Sequence, residues 1–311
     1  MTDTKFKPHR HDPSHPDLQR TGASERAERV TAVLDWGVPR LRQLPWRQTR
    51  DPWEILVSEV MLQQTQVDRV IPKWRAFLDR FPTAASCAHA PLADVLRLWQ
   101  GLGYPRRARN LHNAARMIAD QLNERGRFPQ DLDELMALPG VGPYTARAVL
   151  VFAFEQDAAV VDTNIARIFA RLTSSRLTPR QVQRLADDYL PMGRSWDWNQ
   201  SLMDLGAAFC RPVPLCSQCP LRSTCRWSNA PAGSPDPATG SAGVSVRQTP
   251  FEGSDRQARG RLMKALNSAP VLRSDAARLM GRDDLTAGRL VDSLVKDGLC
   301  WSDAEFIMLP S

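Results

Sequence analysis

The chain has no uncharged apolar run approaching the ~18 to 20 residues that a membrane-spanning helix needs. Residues 1–22 are polar and carry proline and histidine, so the apolar core of a secretory signal is missing as well, and a cytoplasmic location is expected. Convincing period-two alternation is absent, which argues against an extensive half-buried sheet. There is no internal repeat. Cysteine is sparse, six in 311 residues, too few for a disulfide scaffold. Acidic residues fall short of basic ones, 34 against 41, and the net charge is +7.

What is present is the ordinary mix of a globular protein, 42% hydrophobic and 24% charged, and the length favours two units or one large unit with appendages. Residues 229–311 hold ten basic and ten acidic side chains, so the whole positive excess lies in residues 1–228. That front part is expected to meet any polyanion, and the balanced tail to add little electrostatic affinity.

Residues 229–248 are mostly Ala, Gly, Pro and Ser, a composition that reads as a linker. Before it the apolar spacing is helical nearly everywhere: Trp53, Leu56, Val57, Val60 and Met61; Leu92, Val95, Leu96 and Trp99; Ile165, Ile168, Phe169 and Leu172. Asp51-Pro52-Trp53-Glu54 supplies an N-cap acid, a proline at the first helical position and a glutamate three after the cap, which predicts a helix running to about Gln64. After the linker, helices are predicted over 255–266, 273–280 and 285–296 and a small hairpin over 299–309, the pattern of a winged-helix-like module. The organisation is thus a disordered tail at 1–22, a mainly α region at 23–228, a linker at 229–248 and a module at 249–311.

Three groups of residues carry chemistry. Gly140-Val141-Gly142, between an amphipathic stretch and an apolar helix, permits a tight turn and leaves N–H groups at the next helix start facing outward, where a DNA phosphate can sit. Glu59 lies in an otherwise apolar helix, where burial would keep it protonated and able to donate. Asp162 precedes the helix of Ile165, Ile168 and Phe169 as its N-cap, and a cap accepting N–H bonds stays ionised; one acid held up and one held down is the arrangement that cleaves glycosidic bonds. Cys210, Cys216, Cys219 and Cys225, spaced C-x5-C-x2-C-x5-C, form a metal site that suits either a tetrahedral zinc or a 4Fe-4S cluster. Cys87 and Cys300 stand alone and read as structural thiols.

Together with Leu44-Pro45-Trp46-Arg47, Ser58-Glu59-Val60-Met61-Leu62-Gln63-Gln64-Thr65, Gly101-Leu102-Gly103-Tyr104, Leu138 to Gly142, Val161-Asp162-Thr163-Asn164 and Met203-Asp204-Leu205-Gly206, these residues resemble the MutY-type adenine DNA glycosylases of the helix-hairpin-helix superfamily that also contains endonuclease III. The resemblance implies a mainly α fold, a six-helix barrel plus a helical domain bearing a 4Fe-4S cluster, and base excision repair on double-stranded DNA as a monomer with no membrane contact. The substrate implied is an adenine mispaired with 8-oxoguanine or guanine and flipped out of the stack. In that family's pattern Glu59 is the general acid at adenine N7 and Asp162 the carboxylate beside the sugar cation, with Asn164 and Tyr144 orienting the pair. Trp46, Arg47 and Gln200 would line the adenine pocket, and Gln64 and Tyr104 would wedge into the stack near the opposing purine. Members that form a Schiff base carry lysine after the hairpin proline; here Tyr144 follows Pro143, so simple hydrolysis of the N-glycosidic bond is expected.

Three features depart from the family pattern: five residues instead of six separate the first two cysteines, Pro105 replaces a second aromatic, and the short helical tail lacks the Nudix-like domain of many members. Two alternatives share the motifs: a thymine or uracil mismatch glycosylase, and a non-catalytic DNA-binding iron-sulfur protein. Leu62-Gln63-Gln64-Thr65 favours adenine over the first, and retention of both Glu59 and Asp162 speaks against the second.

Overall fold

The computed structural model describes residues 22–244 and 250–311. The expected tail therefore lies outside the described residues except for Gly22, and the expected linker except for 229–244. Along the chain run helices α1 (Ala23–Gly37), α2 (Pro52–Leu62), α3 (Val67–Arg80), α4 (Ala84–Ala88), α5 (Leu92–Trp99), α6 (Arg106–Arg125), α7 (Leu132–Met136), α8 (Pro143–Phe154), α9 (Thr163–Thr173), α10 (Pro179–Tyr189) and α11 (Ser195–Ala208). After the cysteine segment come α12 (Asp255–Leu266), α13 (Ala276–Met280) and α14 (Asp284–Lys296), with strands β1 (Val271–Leu272), β2 (Trp301–Ser302) and β3 (Phe306–Met308). No helix among the described residues is long and apolar enough to cross a membrane. Two compact units result. One runs up to Arg42 and resumes at Ala159, and the other covers Gln43–Ala158 together with the C-terminal residues.

The first unit packs α1, α9, α10 and α11 around the predicted stripe of Ile165, Ile168, Phe169 and Leu172, joined by Val33, Trp198, Leu202 and Leu205. Helices α1 and α11 approach so closely at Gly37 that a Cβ there would collide with Ser201. The glycine-, proline- and serine-rich stretch after Asn229 is anchored to this unit. Ser241 Oγ accepts from Leu177 N (3.1 Å), Ala242 N donates to Leu177 O (2.8 Å), and Ala238 is buried. Low apolar content predicted a free linker because composition does not count hydrogen bonds supplied by other segments.

In the second unit α2 and α8 are buried on nearly every face and pack against each other, as uniformly apolar helices must. Helix α2 starts as predicted: the Asp51 carboxylate accepts from Trp53 N (2.8 Å) and Glu54 N (3.2 Å), with Pro52 in the first position. The C-terminal module belongs to this unit. Its strands form an antiparallel sheet ordered β1-β3-β2, with Val271 opposite Ile307 and Trp301 opposite Met308. The hairpin was expected; β1 was not, because two residues are too few to set up an alternation.

Candidate active site

Glu59, Tyr144, Trp46, Arg47, Gln64, Tyr104 and the Gly140–Gly142 turn fall in the second unit, while Asp162, Asn164, Gln200 and the four cysteines fall in the first. Glu59 is 5% exposed and sits near the C-terminal end of α2 among buried apolar neighbours. Just beyond it, Gln63 Nε2 donates to Thr145 Oγ1 (3.4 Å), which ties the end of α2 to the first turn of α8 beside the half-buried Tyr144. Trp46 is buried edge-on against Trp74 at 6.0 Å, and the neighbouring Arg47 is half-buried.

The hairpin turn is built as the glycines predicted. Gly140 has φ of 80°, and a Cβ there would also lie 2.8 Å from the Asn110 side chain, so backbone conformation and space both demand glycine. Helix α8 opens at Gly142 without a side-chain cap, so no side chain of the cap residue occupies the N–H groups of its first turn.

Asp162 is the N-cap of α9. One oxygen accepts from Ile165 N (2.7 Å) and the other from Asn164 Nδ2 (2.9 Å), while Asn164 Oδ1 accepts from Arg167 Nη2 (2.7 Å). Arg167 continues the chain to the carbonyls of Gly206 (3.2 Å) and Cys210. Asn164 fits only because Gly206 faces it, since a Cβ on Gly206 would stand 2.5 Å from that of Asn164. The carboxyl does not behave as its cap suggested: burial pushes it above the ordinary value, and the Ile165 N–H, Asn164 and Arg167 only partly oppose that. Sequence reasoning foresaw the cap and overlooked the desolvation.

Gln64 and Tyr104 are both exposed and both hold the left-handed backbone conformation, at φ of 57° and 47°. Such conformations cost about 1–3 kcal/mol each and persist where surroundings over-determine them. Here the surroundings are Arg107. Its Nη1 donates to the carbonyls of Val60 (2.8 Å), Met61 (2.9 Å) and Gln63 (2.6 Å), and its Nη2 to Leu102 O (2.9 Å), Gly103 O (3.1 Å) and Thr65 Oγ1 (3.1 Å). One buried guanidinium thus fixes the loops on both sides of the two residues. Burial lowers it to about 10, which leaves it charged at neutral pH.

Cys210, Cys216, Cys219 and Cys225, all free thiols, line one pocket with Arg171, Phe209 and Trp227. Among the described residues no three His, Cys, Asp or Glu side chains stand close enough to hold a single metal ion. Burial pushes Cys219 up to about 11 and raises Cys210 and Cys216, so a cationic centre is what would make these thiols ionise together. Arg171, 2% exposed, organises the pocket. It donates to Cys210 Sγ (3.3 Å) and Arg211 O (2.7 Å), pairs with Asp236 (2.6 Å) and lies 4.9 Å from the Trp227 ring centroid. The shortened loop between the first two cysteines is thereby held through its carbonyls. Cys87 and Cys300 are buried thiols, as expected.

Arg107, Arg167 and Arg171 were missed by the sequence reading. A signal existed: Arg107 continues the buried stripe of Leu111, Ala114 and Ile118, and Arg167 and Arg171 stand four apart on a helix buried around both. An arginine in a core register is a residue with a structural partner to find.

The family described as HhH-GPD superfamily base excision DNA repair protein matches residues 57–192. An adenine DNA glycosylase of Mycolicibacterium smegmatis is 40% identical over 283 residues, covering 88% of this chain and 92% of that protein. One of Mycobacterium tuberculosis is 41% identical over 279 residues, 86% and 89% respectively. The human adenine DNA glycosylase is 41% identical over 211 residues, 63% of this chain and 38% of its own. Among solved structures, a thermostable thymine-DNA glycosylase matches with TM-score 0.61 and 28% identity over 66% of this chain and 97% of that one. A trapped endonuclease III–DNA covalent intermediate matches with TM-score 0.57 and 28% identity, over 65% and 96%.

Proposed function

Since the chain belongs to the adenine DNA glycosylases of the HhH-GPD base excision repair superfamily, we propose that it hydrolyses the N-glycosidic bond of adenine mispaired with 8-oxoguanine or guanine in double-stranded DNA, acting as a cytoplasmic monomer. The observation that carries this reading is the fixed carboxylate of Asp162, held by Ile165 N and Asn164 in a setting that disfavours its charge. A carboxylate so placed gains most when a cation forms beside it, and that gain exists only in the transition state.

The duplex lies with a phosphate at the Gly140–Gly142 turn, and Gln64 and Tyr104 fill the stack beside the opposing purine. The adenine, flipped into a pocket lined by Trp46, Arg47 and Gln200, receives the proton of Glu59 at N7. The bonding pair leaves with the base as positive charge grows on the sugar, where Asp162 stabilises it. Asn164 and Tyr144 orient the two acids, and Arg167 positions Asn164. Water then adds at C1′ and releases a proton, giving free adenine and an abasic site with an intact backbone. Tyr144 lacks an amine, so no Schiff base forms.

Cys210, Cys216, Cys219 and Cys225 are the residues that would hold a 4Fe-4S cluster. All four line one pocket, and four thiolates are the usual protein ligand set of such a cluster. Bound there, such a group would tie Cys210 to Cys225 and place its charge beside Arg171.

The test is to incubate purified protein with duplexes carrying A opposite 8-oxoguanine, A opposite G, T opposite G and U opposite G, followed by alkali. Cleavage of the first two is expected. Excision confined to thymine or uracil, the reading favoured by the likeness to a thymine-DNA glycosylase, would overturn it.

A further inference from the structure

Helix α12 of the C-terminal module runs beside the loop that carries Tyr104. At one end Arg256 Nη1 donates to Tyr104 Oη (3.2 Å); at the other Asn267 Nδ2 donates to Gln100 Oε1 (2.7 Å). Between them Asp297, 3% exposed, accepts from Arg259 (2.6 Å) and Arg106, while Arg109 donates to its carbonyl. The module is therefore fastened along the loop.

A groove of about 420 Å³ opens at this junction, lined by Gln100, Arg261, Lys264, Ala265, Ser268 and Leu279. Its polar side chains are two cations, an amide and a hydroxyl, and no acid lines it. The even charge balance of the tail predicted no such patch, but charge there is unevenly spent. Asp255 pairs with Arg289 (2.8 Å), Asp275 with Arg278 (3.0 Å) and Asp297 with Arg106 and Arg259, and none of these residues lines the groove. Within α12 itself four basic residues accompany one acid.

We propose that this groove binds backbone phosphates of the DNA strand that lies against Tyr104, with Arg261 and Lys264 as the cations and Gln100 and Ser268 as neutral donors. The inference rests on the assignment of Tyr104 to the opposing-base side of the duplex under the proposed function. Phosphates follow one another along a strand, so a strand meeting Tyr104 continues past α12, whose two ends are bonded to Tyr104 and Gln100. The module then extends the DNA interface without reading a base.

Each phosphate contact contributes about 0.9 to the slope of log affinity against log salt. Full-length, cluster-loaded protein would be titrated by fluorescence anisotropy against a duplex carrying a tetrahydrofuran abasic analogue opposite G, at several salt concentrations. Lys264→Gln is expected to lower the slope by roughly 0.9 and Arg261→Gln with Lys264→Gln by roughly 1.8, with affinity near 0.1 M salt falling on the order of tenfold. Arg261→Lys with Lys264→Arg should restore the slope, and Arg278→Gln, on α13, should leave it unchanged. Single-turnover excision at saturating protein should stay within about twofold. Lys264 is exposed, so its replacement tests the site even where the double variant melts early. An unchanged slope for Lys264→Gln, or an equal drop for Arg278→Gln, would overturn the proposal. Absence of adenine excision by the wild type would instead overturn the proposed function and leave the slope readable, because counterion release counts phosphates whatever the base.

Discussion

Replacing Arg107 by alanine removes the donor that holds both strained loops. The Gly103 carbonyl keeps a second donor in the Trp99 indole, and the single Thr65 hydroxyl is left to be shared between the carbonyls of Gln63 and Leu102. Those of Val60 and Met61, in the last turn of α2, lose a buried charged one. Leaving two buried acceptors in this state costs about 1–3 kcal/mol each, and removing a cation from a helix C-terminus adds a few tenths. Relief of the burial cost of the guanidinium works in the other direction, so the net loss is roughly 2–4 kcal/mol. At ~2.1 cal/mol/K of unfolding entropy per residue, that corresponds for this chain to a fall in Tm of roughly 3–6 °C. The effect on rate should exceed what instability explains, because Gln64 and Tyr104 would leave their left-handed conformations, and misplacement by ~1 Å costs on the order of 100-fold. Arg107→Lys, with three donors for six acceptors, should fall between. Thermal melting and single-turnover excision well below the lowest Tm decide it. A melting point within about 2 °C of wild type together with an unchanged rate would refute the assignment of Arg107 as the brace of both loops.

Glu59→Gln keeps shape and loses the proton, so adenine release should disappear while affinity for the mispaired duplex is retained; substantial excision by this variant would remove Glu59 from the acid's role. Asp297 gives a pH test. Burial pushes its carboxyl up, but hydrogen bonds from Arg106 and Arg259 overcome this and hold it below the ordinary value. Its contribution is therefore complete above the unfolded carboxylate range and lost as pH falls through the folded value, so hydrogen exchange in α12 should rise below about pH 4 in the wild type and show no such step in Asp297→Asn. Anaerobically purified protein should be brown with about four irons per chain. A chain ending at Val244 should keep them, whereas one ending at Trp227 should lose iron because it lacks Asp236 and the buried Ala238. Iron retained equally by both would show the segment after Asn229 to be dispensable.

Much of this was legible in the residues. The helix starts at Asp51 and Asp162 follow from short polar side chains before apolar periodic stretches, and the Gly140 turn follows from a backbone only glycine adopts at low cost. What stayed hidden depends on long-range pairing. Nothing local to Arg107 announces that it meets carbonyls 44 to 47 residues earlier, and nothing local to Asp236 announces Arg171, 65 residues before it. The misjudged linker and the unforeseen rise of the Asp162 carboxyl have one cause: composition and capping rules describe a segment, while burial and salt bridges are properties of its neighbours.

The division of the chain also bears on how it is made. Helix α1 packs on α11, and Arg29 bonds to Tyr189 across 160 residues. At ~5–20 residues per second a ribosome takes roughly 10–30 s to deliver the second partner after the first. Through that interval the N-terminal helix has left the exit tunnel with its apolar face uncovered, while the residues from Gln43 to Ala158 emerge as a continuous run behind it. The N-terminal segment should thus be a chaperone client during synthesis, and its rescue should coincide with the emergence of the cysteines.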